Sequence, residues 1–307
     1  MQKGLREYLG VHEDVSIYLD NGSFAFWKRG TEPPVQEYIE FVRQAKPDWY
    51  PVPADYIPHP KLSVDEQKAL FEKTMHMNSS YSKDGYVPVL HAGDWLLDYV
   101  EAFATQNVDM SKGIALGALV PRLLTMKGAS SRRVVINTIK RVRELYEKVP
   151  LHIFGIGGTT TLHLAAVLKV QSVDSSGWRN RAARGLILIP GKGERSIVKL
   201  GSWRGVEVSE DDIQFLSHCQ CPACRNFGIE GLRDSNPRNG GNRRGFGSKG
   251  FANRATHNLW ILLQEAKEIE QQMEDDTYKQ WYGEHVASLI FRDLITYALN
   301  HNGYLSQ

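Results

Sequence analysis

The chain has 307 residues, of which 42% are hydrophobic and 23% are charged, and this composition excludes a disordered or fibrous protein. The formal net charge is only +2, so any surface that binds nucleic acid must be local. The sequence has neither 18 uninterrupted apolar residues nor an apolar signal core, which predicts no membrane span and a cytoplasmic location. Its three cysteines stand within six residues of one another, and an odd, clustered set excludes a disulfide framework.

Short apolar runs alternate with longer helical patterns over the first 190 residues. The apolar runs predict seven strands, at 15–20, 49–54, 86–92, 113–120, 151–156, 171–175 and 186–189. The helical patterns predict helices at about 34–46, 63–77, 94–105, 130–148 and 159–169. Ser63-Val-Asp-Glu66 fits a capping box at the start of the second helix. Strands that alternate with helices imply βαβ units and a parallel sheet. The number of units favours an α/β fold of the (β/α)8 TIM-barrel type over an open doubly wound sheet.

The pattern changes after residue 190. Two short β-prone pieces precede the cysteines, a loop rich in glycine and arginine spans residues 225–254, and two helices follow at about 257–275 and 281–300. We therefore predict a barrel core at 1–200, a zinc-binding subdomain with a basic loop at 201–257, and C-terminal helices at 258–307 that complete the barrel and the zinc region.

The cysteines have the spacing of a metal site. Cys219, Cys221 and Cys224 form a Cys-x-Cys-x-x-Cys pattern, and His257 stands at the start of a downstream helix. Three thiolates and one imidazole suit a tetrahedral Zn²⁺ ion, and four protein ligands leave no open position, so the predicted zinc is structural. His218 is the competing fourth ligand; we prefer His257 because a distant ligand ties the final helix to the cysteines.

Three predicted strands end in an aspartate that is followed by turn residues: Asp20, Asp55 and Asp174. In a barrel, chemistry takes place where the strands end. Three carboxylates at that edge can act as nucleophile, general acid/base and hydrogen-bond acceptor. Taken singly, an aspartate before a turn more often forms an Asx-turn or caps a helix, and that structural interpretation remains open.

The zinc pattern and four further segments resemble the tRNA-guanine transglycosylases over about residues 15–300. The sequence LDNGSF at 19–24 is similar to the family's Asp-Ser-Gly-Gly-Phe, and THNL at 256–259 to the His-Asn-Leu around the last zinc ligand. LGAL at 116–119 resembles the Gly-Gly-Leu-Ala turn that contacts the base. SVDS at 172–175, with the arginines that follow it, resembles the segment that holds the nucleophilic aspartate.

The resemblance implies a role for each of these residues. Asp174 would be the nucleophile of a covalent glycosyl-enzyme intermediate, and Asp20 the general acid/base. Asp55 would bind the Watson–Crick edge of the base, with Asp48 as the rival for that role. The remaining candidates are base-binding residues Gly117, Ala118, Leu119, Phe24 and His91, and nucleic-acid-binding residues Arg179, Arg181, Arg184, Arg243 and Arg244.

Two positions depart from the family pattern. Gly117-Ala118 stands where the family has Gly-Gly, and His91-Ala92-Gly93 stands where it has Gln-Gly-Gly. Only about fourteen residues precede the first predicted strand, so we expect a barrel with an abbreviated N-terminus, or one that residues 186–200 close.

The departures make the chain most similar to the DNA 7-deazaguanine transglycosylases of bacterial modification clusters and phages. This branch implies exchange of guanine in DNA for a free 7-deazaguanine base of the preQ0 type, in a bacterial or phage-infected cell. It also implies a homodimer or a partner protein from the modification cluster. The same chemistry on tRNA, and a non-catalytic zinc-containing subunit that binds nucleic acid, remain as alternatives.

Basic residues concentrate in the loop at 225–254, which contains seven lysines and arginines but only two acidic residues. Its formal net charge is therefore +5. Its three phenylalanines add stacking surfaces, so the loop could hold a phosphate backbone and an exposed base. A solvated loop without a partner is the alternative. The glycine-rich turn at 155–158 lacks the spacing of a nucleotide-binding motif, so we interpret it as a tight turn between a strand and a helix.

Overall fold

The computed structural model describes residues 4–119, 128–200, 205–236 and 247–300. The chain divides into two compact units. Unit 1 comprises residues 1–127, 134–154 and 170–172, and unit 2 comprises residues 128–133, 155–169 and 173–307. None of the described helices has both the length and the apolar content that a membrane crossing requires.

Unit 1 combines helices with a parallel sheet. Its helices are α1 (Leu5–Leu9), α2 (Ser23–Arg29), α3 (Val35–Ala45), α4 (Val64–Tyr81), α5 (Leu96–Thr105) and the larger part of α6 (Gly128–Leu145). Its strands are β1 (Val89–His91), β2 (Ile114–Gly117), β3 (Leu151–Ile153) and the first residue of β4 (Ser172–Val173). The four strands follow one another in chain order, and β1, β2 and β3 pair in parallel. The prediction of an α/β fold with a parallel sheet is confirmed.

The first two predicted strands are present only as isolated bridges. Parallel bridges join Tyr18 to Trp49 and Pro51 to Val87. A continuous ladder cannot form here because prolines lack the backbone N–H that a central strand must donate. The first segment is thus paired with the second, and the second with the residues that lead into β1, so both extend the parallel order of the sheet.

The core of unit 1 surrounds this sheet. Every residue of β1, β2 and β3 is buried, as expected for parallel strands that are covered on both faces. Tyr38 and Val42 on α3 pack with Val87 and Val89 in one cluster. Helix α4 begins with the predicted capping box, in which the Ser63 side chain accepts the Glu66 N–H and the Glu66 carboxylate accepts the Ser63 N–H.

Unit 2 is mainly helical. Its helices are α7 (Thr159–Val167), α8 (Gly177–Ala183), α9 (Glu210–His218), α10 (Pro222–Arg233), α11 (Phe251–Glu274), α12 (Tyr278–His285) and α13 (Leu289–Asn300). Strands β5 (Leu186–Ile189) and β6 (Gly193–Ser196) form an antiparallel hairpin. The second predicted C-terminal helix is therefore two helices, α12 and α13.

Two predictions for unit 2 are wrong. The run at 186–189 does not continue the parallel sheet, because it forms β5, which pairs antiparallel with β6. The chain reverses direction at Gly191 and Gly193, whose φ angles are 61° and 78°. The predicted loop at 225–254 contains most of α10 and the start of α11. Helix α10 forms because Cys221 caps it, with its sulfur 3.2 Å from the Cys224 nitrogen, and Pro222 occupies the first helical position.

Candidate active site and metal centre

A buried hydrogen-bonded cluster surrounds Asp55 in unit 1. One carboxylate oxygen of Asp55 accepts from the Asn21 amide at 2.9 Å, and the other lies 2.9 Å from Nε2 of His91. The Ser23 hydroxyl accepts from the Asp55 backbone N–H at 3.0 Å. Asn21 follows the first bridge segment, Asp55 follows the second, and His91 ends β1. The cluster therefore lies where successive parallel segments end, which is the edge at which barrel enzymes place their sites.

The surroundings of Asp55 hold it as a carboxylate. Burial alone would raise the pKa of Asp55, but hydrogen bonds with His91 and Asn21 lower it below its ordinary value. The Nδ1 atom of His91 lies 3.2 Å from the Tyr99 hydroxyl, and burial raises the pKa of Tyr99, which keeps its proton. The hydroxyl can therefore donate to Nδ1 while Nε2–H donates to Asp55.

His91 belongs to this cluster, and Ala118 follows the residue that lies opposite His91 in the sheet. Gly117 lies opposite His91 in the sheet, and a Cβ atom on Gly117 would lie 2.9 Å from Cδ2 of the imidazole. His91 therefore requires glycine at the end of β2. The next residue, Ala118, has a φ of 62°, a left-handed conformation that is strained for a residue with a side chain. Leu119 follows and is fully buried.

Asp20 and Phe24 lie on the exposed side of the same segment. Both side chains are exposed, in contrast to Asn21 and Ser23 between them. Phe24 stacks on Trp27 with ring centroids 5.5 Å apart, and Trp27 stacks on His59 at 5.9 Å. An exposed carboxylate can exchange protons with a ligand, and an exposed aromatic ring can stack on a planar one.

Asp48, the rival of Asp55, belongs to a different arrangement. Its Oδ2 atom accepts from Arg6 at 2.6 Å and from the Ile17 N–H at 2.7 Å, and its side chain is 47% exposed. These contacts tie α1 to the first bridge segment. The structure therefore groups Asp55, and not Asp48, with His91.

Asp174 stands in a glycine-rich turn of unit 2. It directly follows β4, its side chain is exposed, and its Oδ1 accepts from the Gly155 N–H at 2.8 Å. Gly155 has a φ of 77°, and a Cβ atom on Gly157 would overlap the Ser175 side chain. The turn at 155–158 therefore serves to hold the Asp174 segment close, and Gly158 then starts α7.

The predicted phosphate-binding arginines have different surroundings. Arg179 and Arg184 are exposed on and just after α8. Arg181 donates to Glu194 at 2.7 Å, so part of its charge is already neutralised. Arg243 and Arg244 lie outside the described residues.

Arg254, which the sequence placed in the basic loop, is not a surface residue. It is fully buried in α11, and its guanidinium donates to the Ala182 carbonyl at 2.8 Å, the Leu232 carbonyl at 2.7 Å and the Ser248 hydroxyl at 2.7 Å. Arg254 therefore satisfies backbone carbonyls in the interior of unit 2, and the predicted role in backbone binding is wrong for this residue.

The four predicted zinc ligands form one buried cluster in unit 2. The sulfur atoms of Cys219, Cys221 and Cys224 lie 3.7, 3.5 and 3.5 Å from Nδ1 of His257. Zinc–sulfur bonds of about 2.3 Å and zinc–nitrogen bonds of about 2.0–2.1 Å would separate these atoms by about 3.6 Å in a tetrahedral site. The cluster therefore fits a structural zinc ion. His218 is exposed and bonds the Gln214 carbonyl, so it lies outside the cluster.

The surroundings of the cluster favour a cation. Hydrogen bonds with Cys219 and Cys224 lower the pKa of the Cys221 thiol. Hydrogen bonds with Cys219 and Cys221 raise the pKa of the Cys224 thiol. The three sulfur atoms lie close together, so thiolates at these positions would repel one another, and a positive ion between them would remove that repulsion. Nε2 of His257 lies 2.9 Å from the Leu188 carbonyl, the hydrogen bond that directs Nδ1 toward the metal. The ion would join the α9–α10 connection to α11.

Three features of the sites were missed by the sequence analysis. The first is the contact of Asn21 and Ser23 with Asp55, for which the only sequence signal was the resemblance of LDNGSF to the family motif. Helix α9 begins at a Ser209–Asp212 capping box, a local signal that the sequence does contain. A buried group of His163, Glu265 and His285 had no signal, because its members are more than a hundred residues apart or lie on different helices.

The chain is similar to known proteins of one family. A family model for queuine tRNA-ribosyltransferase matches residues 15–289. The tRNA-guanine(15) transglycosylase of Pyrococcus furiosus is 24% identical over 282 residues, which are 90% of this chain and 42% of that protein. The chain thus spans less than half the length of that relative. Since the family model covers most of the sequence, the chain belongs to the queuine tRNA-ribosyltransferase family.

Proposed function

We propose that the chain exchanges guanine in DNA for a 7-deazaguanine base of the preQ0 type through a covalent aspartyl-glycosyl intermediate. The observation that carries this proposal is Asp174, an exposed carboxylate that the Gly155 N–H holds in a turn directly after a strand. A carboxylate nucleophile divides one difficult displacement into two easier ones. Membership of the family supplies the class of reaction.

The proposed reaction has two balanced halves. An oxygen of Asp174 attacks C1′ of the nucleoside, the C1′–N9 bond breaks, and guanine leaves with a proton from Asp20. In the second half, Asp20 takes the proton from N9 of the incoming base, N9 attacks C1′, and the bond between Asp174 and C1′ breaks. The target base must leave the stack before either step, because its sugar is otherwise inaccessible.

The cluster around Asp55 is the proposed base pocket. Each carboxylate oxygen of Asp55 has two lone pairs, so it can accept from a base edge in addition to Asn21 or His91. Gly117, Ala118 and Leu119 would line the pocket, and His91 would orient Asp55. Phe24 would stack on the base.

The proposed nucleic-acid contacts are Arg179, Arg181 and Arg184 near the nucleophile, with Arg243 and Arg244 in the basic loop. For Arg181 the ion pair with Glu194 would have to open or be shared with a phosphate. We also retain as proposals a (β/α)8 barrel built on the observed parallel sheet, the division at residues 200 and 257, and a homodimer or a modification-cluster partner.

The choice of DNA rests on the base pocket. His91 and Ala118 stand where the family has Gln and Gly, and these departures favour a divergent branch; the branch that the chain resembles most acts on DNA. Exchange on tRNA is the second candidate, and the printed descriptions of both the matching family and the Pyrococcus furiosus relative favour it. A non-catalytic nucleic-acid-binding subunit is the third.

Labelled guanine separates the three candidates. The purified chain is incubated with labelled guanine and either duplex DNA, single-stranded DNA or bulk tRNA, and the label is measured in the recovered nucleic acid. We expect label in DNA. Label in tRNA alone would support the second candidate, and binding of nucleic acid without incorporation would support the third.

The nucleophile is tested by trapping the intermediate. Without an incoming base, the wild-type chain should form a covalent adduct with nucleic acid that survives denaturing electrophoresis. Asp174→Asn should form none, although its side-chain oxygen can still accept the Gly155 N–H. Asp211→Asn, an exposed position on α9, is the matched control and should form the adduct normally. An adduct with Asp174→Asn would show that another residue is the nucleophile.

A further inference from the structure

A second group of metal-ligating side chains lies in unit 2. Glu265 stands two turns after His257 on α11, about 12 Å along the helix axis. Its Oε1 atom lies 3.1 Å from Nε2 of His163 on α7 and 2.7 Å from Nε2 of His285 at the end of α12. The three ligand atoms lie within 4.8 Å of one another. The group therefore draws on three helices and includes none of the predicted zinc ligands.

One carboxylate oxygen of this group has no partner. Glu265 is 1% exposed, and its Oε2 atom has no hydrogen bond among the described residues. A buried polar atom without a partner costs about 1–3 kcal/mol. Both imidazoles contact the same oxygen, Oε1, so hydrogen bonding within the group cannot satisfy Oε2. A cation bound to the carboxylate would satisfy it.

The surroundings of the two histidines resemble the outer shell of a metal site. Nδ1 of His163 lies 2.9 Å from the Tyr278 hydroxyl, which can accept from Nδ1–H and leave the Nε2 lone pair directed at Glu265. The Trp281 ring stacks on His285 at 4.3 Å and on His163 at 5.4 Å. These contacts restrain both imidazole rings, as tightly held ligands require.

We propose that His163, Glu265 and His285 bind a second zinc ion. Two imidazoles and one carboxylate are a known zinc ligand set, and imidazole favours late first-row metals over magnesium or calcium. Tetrahedral zinc with bonds of about 2.0–2.2 Å would separate its ligand atoms by about 3.3–3.5 Å, so the observed contacts need to open by only a few tenths of an ångström.

The proposed ion would join three helices and keep one open position. Its three ligands join α12 to α7 and α11, and the side chain of His285 is 15% exposed, which leaves one side of the site open to a water molecule as the fourth ligand. Without a metal, the same residues would form a carboxylate that accepts two imidazole N–H groups on one oxygen. The two states differ in zinc content, which can be measured directly.

The test counts zinc ions. The chain is stripped of metal, dialysed against Zn²⁺ and analysed for its zinc content. We expect two zinc ions in the wild type and one in Glu265→Gln and in His285→Gln. His218→Gln, which alters an exposed histidine outside both groups, is the matched control and should retain two. A wild-type chain with one zinc ion, or a Glu265→Gln chain with two, would overturn the proposal.

Cobalt titration of the wild type tests the proposed second site without any variant, so it remains informative if the variants do not fold. Co²⁺ bound to the cysteine cluster produces thiolate-to-cobalt charge-transfer absorption. We expect a second equivalent to bind with d–d absorption alone, because the proposed site has no sulfur ligand. A second equivalent that increases the charge-transfer band, or the absence of a second equivalent, would contradict the site.

Discussion

Replacing Asp55 by asparagine tests the buried cluster at the end of the parallel strands. The Asn21 amide group donates to Asp55 and to the Val52 carbonyl, and its oxygen accepts the Ser23 N–H, so Asn21 cannot turn around. The oxygen of the new asparagine must therefore face Asn21, and its NH2 group must face Nε2 of His91. His91 then has to change tautomer.

The expected cost follows from these contacts. Asp55→Asn replaces the charged acceptor that Asn21 and His91 contact by a neutral amide, and a buried hydrogen bond to a charged group contributes about 1.5–3 kcal/mol. We expect the free energy of unfolding to fall by about 2–3 kcal/mol at neutral pH. Asp48→Asn is the matched control. Its ion pair with Arg6 is partly exposed to solvent, and asparagine can still accept the Ile17 N–H, so we expect a loss below about 1 kcal/mol.

Denaturant unfolding of both variants at several pH values provides the assay. The pKa of Asp55 is lowered in the folded chain, so its stabilising contribution is present above the unfolded pKa of about 3.9 and is lost as the pH falls through the folded value. Asparagine does not titrate, so the difference between wild type and Asp55→Asn should shrink below about pH 4. Equal losses for Asp48→Asn and Asp55→Asn, or a difference that grows in acid, would refute the reasoning.

Three further substitutions and one treatment have defined outcomes. Gly117→Ala should lower the free energy of unfolding by about 1–3 kcal/mol, because its Cβ would lie 2.9 Å from the His91 ring. Ala118→Gly should leave the free energy of unfolding unchanged or raise it by about 1 kcal/mol, because the φ of 62° is strained for alanine. A denaturant titration in which Ala118→Gly is less stable than Gly117→Ala would contradict this geometry. Removal of zinc by a chelator should lower the thermal midpoint and restored Zn²⁺ should recover it, whereas an unchanged midpoint would mean that the thiols hold no stabilising metal. Asn258→Ala should lower the free energy of unfolding by about 1–3 kcal/mol, because Asn258 accepts the Leu188 N–H at 2.8 Å; a loss below about 0.5 kcal/mol by the same titration would show that water replaces the amide.

The sequence alone was sufficient where the determining interactions are local. Cys219, Cys221 and Cys224 lie within six residues, so their spacing already limits them to one ion, and only the fourth ligand needed a choice between His257 and His218. The capping box at Ser63 and the alternation of strands and helices are also short-range patterns. They predicted α4 and the parallel sheet because a helix turn or a strand is specified by neighbouring residues.

Tertiary structure decided the contacts between distant segments. Asn21, Asp55 and His91 are separated by 34 and 36 residues, and only the pairing of successive strands brings them together. His163 and Glu265 are 102 residues apart, and no spacing rule connects them. The direction of β5 was equally undetermined, because an apolar run of four residues suits a parallel or an antiparallel neighbour. Packing chooses between such arrangements because burial and hydrogen bonding depend on the whole set of partners, which a local pattern does not contain.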